Sequence, residues 1–284
     1  MSHFSYARAH SLPHAITLLN EPGLRSRVLA GGTDLVNQFR SGAVACDRVV
    51  DVAHVPELRT IDIGEQIVIG AAATHAEIAE NAGLQQHAPF LAHACRQIGS
   101  PQIRNVATIG GNVINAAACA DTLPVLVCLD AEAILVTATG ERRLPVAELV
   151  TGVSRTALPA GALVRAFVFA PPPPNSRTAF QRIGRRRAMS IARLSLAAMA
   201  ARDATGKIGF VRLAAGAALA RCRRAVEIEA LLLGRQPEAG LFSQAGQRMA
   251  QLLREESGGR WSAAYKERVI ATLTERALKE VLAP

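Results

Sequence analysis

Hydrophobic and polar positions change rhythm several times along the chain, and each change predicts an element. Ser11, followed by Pro13 and the apolar stripe of "AITLL", predicts a helix capped by the serine with proline in its first turn. The run "RVLA" (27–30) predicts a strand that stops at Gly31 and Gly32. "TDLVNQFRSG" then predicts a short helix ended by Gly42, and "DRVVDV" a second strand. Further on, "QIVIGAAA" (66–73), "AILVTA" and "LVRAFVF" have strand composition, and "THAEIAE" begins with a threonine cap and an acid three residues later.

The segment "PPPPN" (171–175) neither pairs in a central sheet nor continues a helix, so it predicts a domain boundary. Beyond it, "TAFQRI", "ARLSLAAMAARD" and "KIGFVRLAAGAA" predict three strands, the last two joined by a turn at "ATG". Three helical patterns follow: "RAVEIEALLLG" with its glycine stop, "AGQRMAQLLREE", and "SAAYKERVIATLTERALKEVL". The fold class expected is α+β, with units at 1–54, 55–174 and 175–284.

Composition narrows the possibilities. With 284 residues, half of them hydrophobic, the chain has ample material for a packed core, which excludes global disorder. Its apolar runs are broken by charge, so no membrane span is expected, and the N-terminus lacks a secretion signal's apolar centre. These features predict a cytoplasmic protein. The five cysteines, Cys46, Cys95, Cys119, Cys128 and Cys222, form no C-x-x-C pair, and the histidines form no H-E-x-x-H; no metal site is expected. A formal charge of +9 suits an acidic partner or an anionic cofactor. An aromatic content of 4% argues against a nucleic-acid stacking surface, so no nucleic acid is expected.

Two glycine segments stand outside every periodicity: "AGGTD" (30–34) and "TIGGN" (108–112). Each sets adjacent glycines beside a threonine and a short polar residue. Without a Cβ, consecutive amides can converge on an anion at close range, so two such loops suit the two phosphates of a dinucleotide. A plain turn is the ordinary role of one Gly-Gly pair, and the pairing of two is what raises the expectation. Neither a G-x-G-x-x-G nor a G-x-x-x-x-G-K-[ST] motif is present. Asp121 is expected to cap the helix of "TLPVLVCLDA", to accept hydrogen bonds from a ribose or adenine, or to do both, and Asp34 to cap or brace its loop.

The segments "VLAGGTDLV", "PQIRNVATIGGNVINAAACADTLPVLVCLDA", "RIGRRRAMSIA", "RRAVEIEALLLG" and "RWSAAYKERVIATLTERAL" occur in this order. In them the chain resembles, nearly end to end, the FAD-binding medium subunits of molybdenum hydroxylases of the xanthine dehydrogenase and carbon monoxide dehydrogenase type. The resemblance implies a two-part FAD domain of the vanillyl-alcohol-oxidase type followed by a C-terminal α+β domain. It implies cofactor contacts from Arg27, Val28, Leu29, Ala30, Gly31, Gly32, Thr33 and Asp34 on one side and from Thr108, Ile109, Gly110, Gly111 and Asn112 on the other. Asp121 would take the ribose or adenine end, and Arg182 would stand near the flavin.

By the same resemblance, iron–sulfur clusters on a small subunit would supply electrons, substrate would be oxidised at a molybdopterin large subunit, and NAD or another acceptor would receive the electrons. No general base or nucleophile is expected in this chain. Trp261 resembles the xanthine dehydrogenase branch, and "NAAACADT" replaces the small polar residues common in relatives. A free-standing FAD oxidase is the alternative reading.

Overall fold

The computed structural model describes residues 4–186, 189–256 and 263–283. Trp261 and part of the arginine run "GRRRAMSIAR" lie outside the described residues.

The chain opens with β1 (Ser5–Arg8), α1 (Leu12–Leu19), β2 (Ser26–Leu29), α2 (Leu35–Arg40) and β3 (Arg48–Asp51). Ser11 caps α1 by accepting from the His14 amide, as its sequence predicts. β3 lies between β1 and β2 and is parallel to both, with Val50 opposite Ala7 on one side and Val28 on the other. Parallel neighbours need crossovers, and α1 and α2 supply the connections. β1 escaped the sequence reading because it is short and largely exposed, without an alternating apolar face.

A five-stranded antiparallel sheet follows, in the order β4-β5-β10-β6-β7. Its strands are β4 (Ile61–Ile63), β5 (Ile67–Gly70), β6 (Glu132–Thr137), β7 (Gly140–Pro145) and β10 (Leu163–Phe169). Between β5 and β6 run six helices: α3 (His75–Glu80), α4 (Ala82–His87), α5 (Pro89–Arg96), α6 (Pro101–Arg104), α7 (Ile109–Asn115) and α8 (Thr122–Cys128). A short α9 (Val146–Leu149) and the small hairpin of β8 (Val150–Gly152) and β9 (Arg155–Thr156) precede β10. Ile67, Ile69, Leu135 and Phe167 project from this sheet into a core shared with Leu91 of α5, Ile109 of α7 and Leu126 of α8. Charged β7 forms an edge of the sheet, where Glu141, Arg142 and Arg143 discourage pairing with another chain.

The C-terminal unit is the expected antiparallel meander of β11 (Arg177–Gly184), β12 (Ala192–Arg202) and β13 (Ile208–Gly216). The helices α10 (Val226–Leu232), α11 (Ala239–Glu256) and α12 (Ala263–Leu282) complete it. β12 is buried on both faces, which explains its nearly continuous apolar sequence. Leu194, Leu196, Ala198 and Ala200 join the core formed with α11 and α12, while Ala197 and Met199 join the core that contains α8. All seven residues of α8 are buried, so this helix is the shared wall of the middle and C-terminal units. Asp121, immediately before it, is thereby delivered to the junction.

The junction carries a second polar connection. Asp130, at the end of α8, pairs with Arg212 and Arg224 of the C-terminal unit, each at 2.8 Å. Buried Glu229 of α10 accepts from the Leu213 amide at 2.9 Å and from Arg224 Nε at 3.1 Å. The edge of β13 is therefore covered by a charged network anchored in both units.

Candidate functional site

Gly31 shows most directly how the two glycine segments meet. A Cβ built there would lie 1.9 Å from the Val106 carbonyl oxygen and 2.9 Å from Ala107 Cα, just before Thr108. Only glycine permits this approach of two backbones separated by more than seventy residues. Gly32 adopts φ of +69°, which turns the chain out of β2 toward α2. Among the described residues, no acceptor meets the amides of Gly31, Gly32, Thr33 and Asp34. The turn thus offers a run of unspent donors beside its neighbour.

The second segment differs from its expectation. "TIGGN" is not an open loop: Ile109 through Asn112 form the first turn of α7, with Thr108 as N-cap. The Ile109 amide donates to the Ala73 carbonyl at 3.0 Å, and that of Gly110 to the Ala71 carbonyl at 2.8 Å. The Gly111 amide donates to Thr108 Oγ1 at 3.1 Å, and that of Asn112 to the Thr108 carbonyl at 2.9 Å. These amides are already satisfied, so of the two expected donating turns only the first has amides left unpaired. Gly110 lets the helix press on its neighbour, since a Cβ there would lie 2.6 Å from the Ala71 oxygen. Gly111 is exposed, and its contribution to the cleft is the absence of a side chain.

Side chains then link the segments into one surface. Gln38 Nε2 of α2 donates to Asn115 Oδ1 of α7 at 3.3 Å, and Thr122 Oγ1 of α8 donates to Asn112 Oδ1 at 2.6 Å. Arg182 Nε of β11 donates to Asp121 Oδ2 at 3.0 Å, with both side chains over nine-tenths buried. Asp121 Oδ1 is also buried and has no partner among the described residues. The capping expected of Asp121 and of Asp34 is absent; each occupies an N-cap position without a side-chain cap bond. Asp121 instead turns to Arg182. Burial pushes its carboxyl up to about 6 against the opposing effect of Arg182.

Cys119 lies among these groups. Burial raises its thiol pKa, and the negative charges of Asp121 and Asp34 reinforce that effect while Arg182 opposes it. A thiol so raised is a poor nucleophile. Asp34, Asp121 and Arg182, from three parts of the chain, thus all act on this thiol.

The remaining expected residues divide by position. Val28 and Ala30 pack against the N-terminal core, Leu29 lies beside Gly32, and Ile109 is fully buried in the middle core. Arg27 is exposed on β2, with its charge felt at Cys46. Gln38, Asn115, Thr122, Gly184 and Ser190 belong to the assembly but carried no local signal in the sequence. Among the described residues, no group of three or more His, Cys, Asp or Glu is placed to hold a metal ion, and no helix is long and apolar enough to cross a membrane.

A turn with free amides, a glycine-enforced contact between two segments and a buried unpartnered carboxylate oxygen together fit a diphosphate-bearing cofactor with hydroxyl groups. The architecture is that of an FAD-binding flavoprotein. Residues 2–172 match the family described as the FAD binding domain in molybdopterin dehydrogenase, and residues 179–281 the CO dehydrogenase flavoprotein C-terminal domain; the chain belongs to this family of oxidoreductase subunits.

The xanthine dehydrogenase FAD-binding subunit of Escherichia coli O157:H7 is 31% identical, the match covering 98% of this chain and 96% of that protein. The glyceraldehyde dehydrogenase medium chain of Sulfolobus acidocaldarius is 30% identical, with 98% of each covered. In the solved structure of reconstituted CO dehydrogenase from Oligotropha carboxidovorans, one chain superposes with a TM-score of 0.91 at 25% identity, covering 99% of this chain and 98% of that one. Similar identity to a purine and an aldehyde enzyme means that overall likeness does not select the substrate branch.

Proposed function

We propose that this chain is the electron-transfer subunit of a molybdenum hydroxylase complex. In this reading it takes electrons from iron–sulfur clusters of a small partner subunit while a molybdopterin large subunit oxidises substrate. It then passes the electrons to NAD or another acceptor. The observation that carries the reading is the backbone contact of Gly31 with Val106, which brings the two glycine segments side by side.

The residues have separable tasks. The amides from Gly31 to Asp34 would donate to the pyrophosphate oxygens, and Gly111 would leave room for the cofactor beside α7. Asn112, its oxygen held by Thr122, directs its side-chain NH2 outward as a donor. The carboxylate of Asp121 would accept a cofactor hydroxyl through Oδ1, with its charge balanced by Arg182. When bound, FAD supplies the interchange between one-electron and two-electron transfer, while the protein governs its placement and access.

Two experiments follow from these tasks. Gly111→Val meets one group within 4 Å, the Thr108 cap hydroxyl at 3.0 Å, which has to give by a few tenths of an ångström; the fold should persist while the side chain fills the cofactor's space. The variant should purify without flavin and with a near-unchanged circular dichroism spectrum; stoichiometric FAD in it contradicts the assigned cleft.

Affinity for FAD should be constant above about pH 6 and fall as pH drops through that value. The sign follows because the hydroxyl donor favours the ionised Asp121, so protonation competes with binding. Equilibrium titrations across this range provide the check.

The complex itself is tested by reduction. The purified chain with FAD should stay oxidised in the presence of a purine or aldehyde until its partner subunits are added. Turnover by the chain alone would establish the free-standing oxidase instead.

A further inference from the structure

Behind Arg182 lies a polar connection that the tasks above do not use. Its Nη1 donates to Ser190 Oγ at 3.2 Å, and its Nη2 donates to the Ser190 carbonyl oxygen. The Ser190 hydroxyl in turn donates to the Arg186 carbonyl at 3.0 Å, so its hydrogen is committed and its lone pairs remain for the guanidinium. Met189, at φ of +51°, turns the chain so that Ser190 returns toward β11. Gly184 provides the space: a Cβ there would stand 2.1 Å from Ser190 Oγ and 3.1 Å from Arg182 Nη1. A long arginine side chain with many rotamers is thus fixed at three of its donors.

We propose that Ser190 is a positioning residue for cofactor binding: by holding Arg182 from behind, it fixes the Asp121 carboxylate with Oδ2 engaged and Oδ1 left for a cofactor hydroxyl. This rests on the FAD reading given above. It makes Ser190 part of the binding apparatus without contact to the cofactor, because rotation of Arg182 would release the carboxylate to turn with it. Among the described residues, the charge of Asp121 also acts on Cys95 of α5, whose sulfur lies 3.5 Å from His75 Nδ1, and on Cys119, on which Asp34 acts as well. Against the burial that raises the Asp121 carboxyl, Arg182 is the opposing cation, and its placement sets how far it opposes.

The test uses the full-length chain freed of flavin and retitrated with FAD over a pH series. Ser190→Ala should weaken binding roughly tenfold and move the midpoint of its pH dependence upward by about one unit, because the carboxylate loses a firmly placed counter-charge. Ser190→Thr, which keeps the hydroxyl, should restore both. Asp121→Asn should flatten the pH profile, and adding Ser190→Ala to it should then change little, since the two act through one atom.

Wild-type affinity and midpoint in Ser190→Ala overturn the proposal, as does an effect that persists undiminished beside Asp121→Asn. If Ser190→Ala does not fold, Gly184→Ala displaces the same hydroxyl and is held to the same outcomes. A wild-type chain that binds no FAD at any pH removes the cofactor reading and this proposal with it. An FAD-loaded chain indifferent to Ser190 removes the proposal alone.

Discussion

Gly31→Ala is expected to yield a chain that loses FAD almost completely during purification. The added methyl would lie 1.9 Å from the Val106 oxygen and 2.9 Å from Ala107 Cα, and neither backbone atom can rotate aside as a side chain would. Relief requires the turn after β2 and the segment before α7 to separate. Both walls of the cleft then move, and the run of free amides loses its register with the exposed edge of α7. Affinity should drop by at least a hundredfold, the equivalent of about 3 kcal/mol. The ratio of flavin absorbance to protein after gel filtration measures the result. Gly240→Ala on α11, where nothing lies within 4 Å of the built Cβ, is the matched control and should keep its flavin. Full occupancy in Gly31→Ala would mean that the two segments do not form one cradle.

The second large effect concerns the junction of the middle and C-terminal units. Glu229→Ala should destabilise the protein by about 3 kcal/mol, since it strands a buried strand amide and takes the principal partner from a partly buried arginine. Glu229 is 3% exposed, and its two oxygens serve the Leu213 amide and Arg224. Hydrogen bonding to Glu229 is also the leading cause that raises the basicity of Arg224. With that carboxylate gone, Arg224 keeps only the half-exposed Asp130. The urea midpoint should fall by about 1 M. An unaltered midpoint would show that the network contributes nothing net to holding α10 on β13.

Much of this architecture was legible in local chemistry. The Ser11 cap, the Thr74–Glu77 capping box and the hairpin between β12 and β13 each depend on neighbours within a few residues, so sequence carries them. The glycine segments were legible as places where side chains are forbidden. Which atoms forbid them was not: Val106 facing Gly31 and Ala71 facing Gly110 are tertiary neighbours. For the same reason "TIGGN" read as a loop. Its two glycines disfavour a helix by propensity, and the Thr108 cap together with packing on Ala71 overrides that preference.

The partnership of Asp121 with Arg182 spans sixty-one positions and replaced the local cap that spacing had suggested. Ser190 is a more extreme case, since its importance comes from a hydrogen bond to a residue whose own role is set by a third. The arginine run around it was visible as charge. Charge alone did not distinguish the buried Arg182 from the exposed Arg185 and Arg186.

The small residues on the α8-facing side of β12 have a further bearing on the cleft. Because Ala197 is fully buried there, the separation between sheet and helix is a fixed spacer rather than an adjustable one. Enlarging that alanine would transmit a displacement along α8 to the carboxylate at its start, so the C-terminal domain calibrates the position of Asp121 from behind the helix.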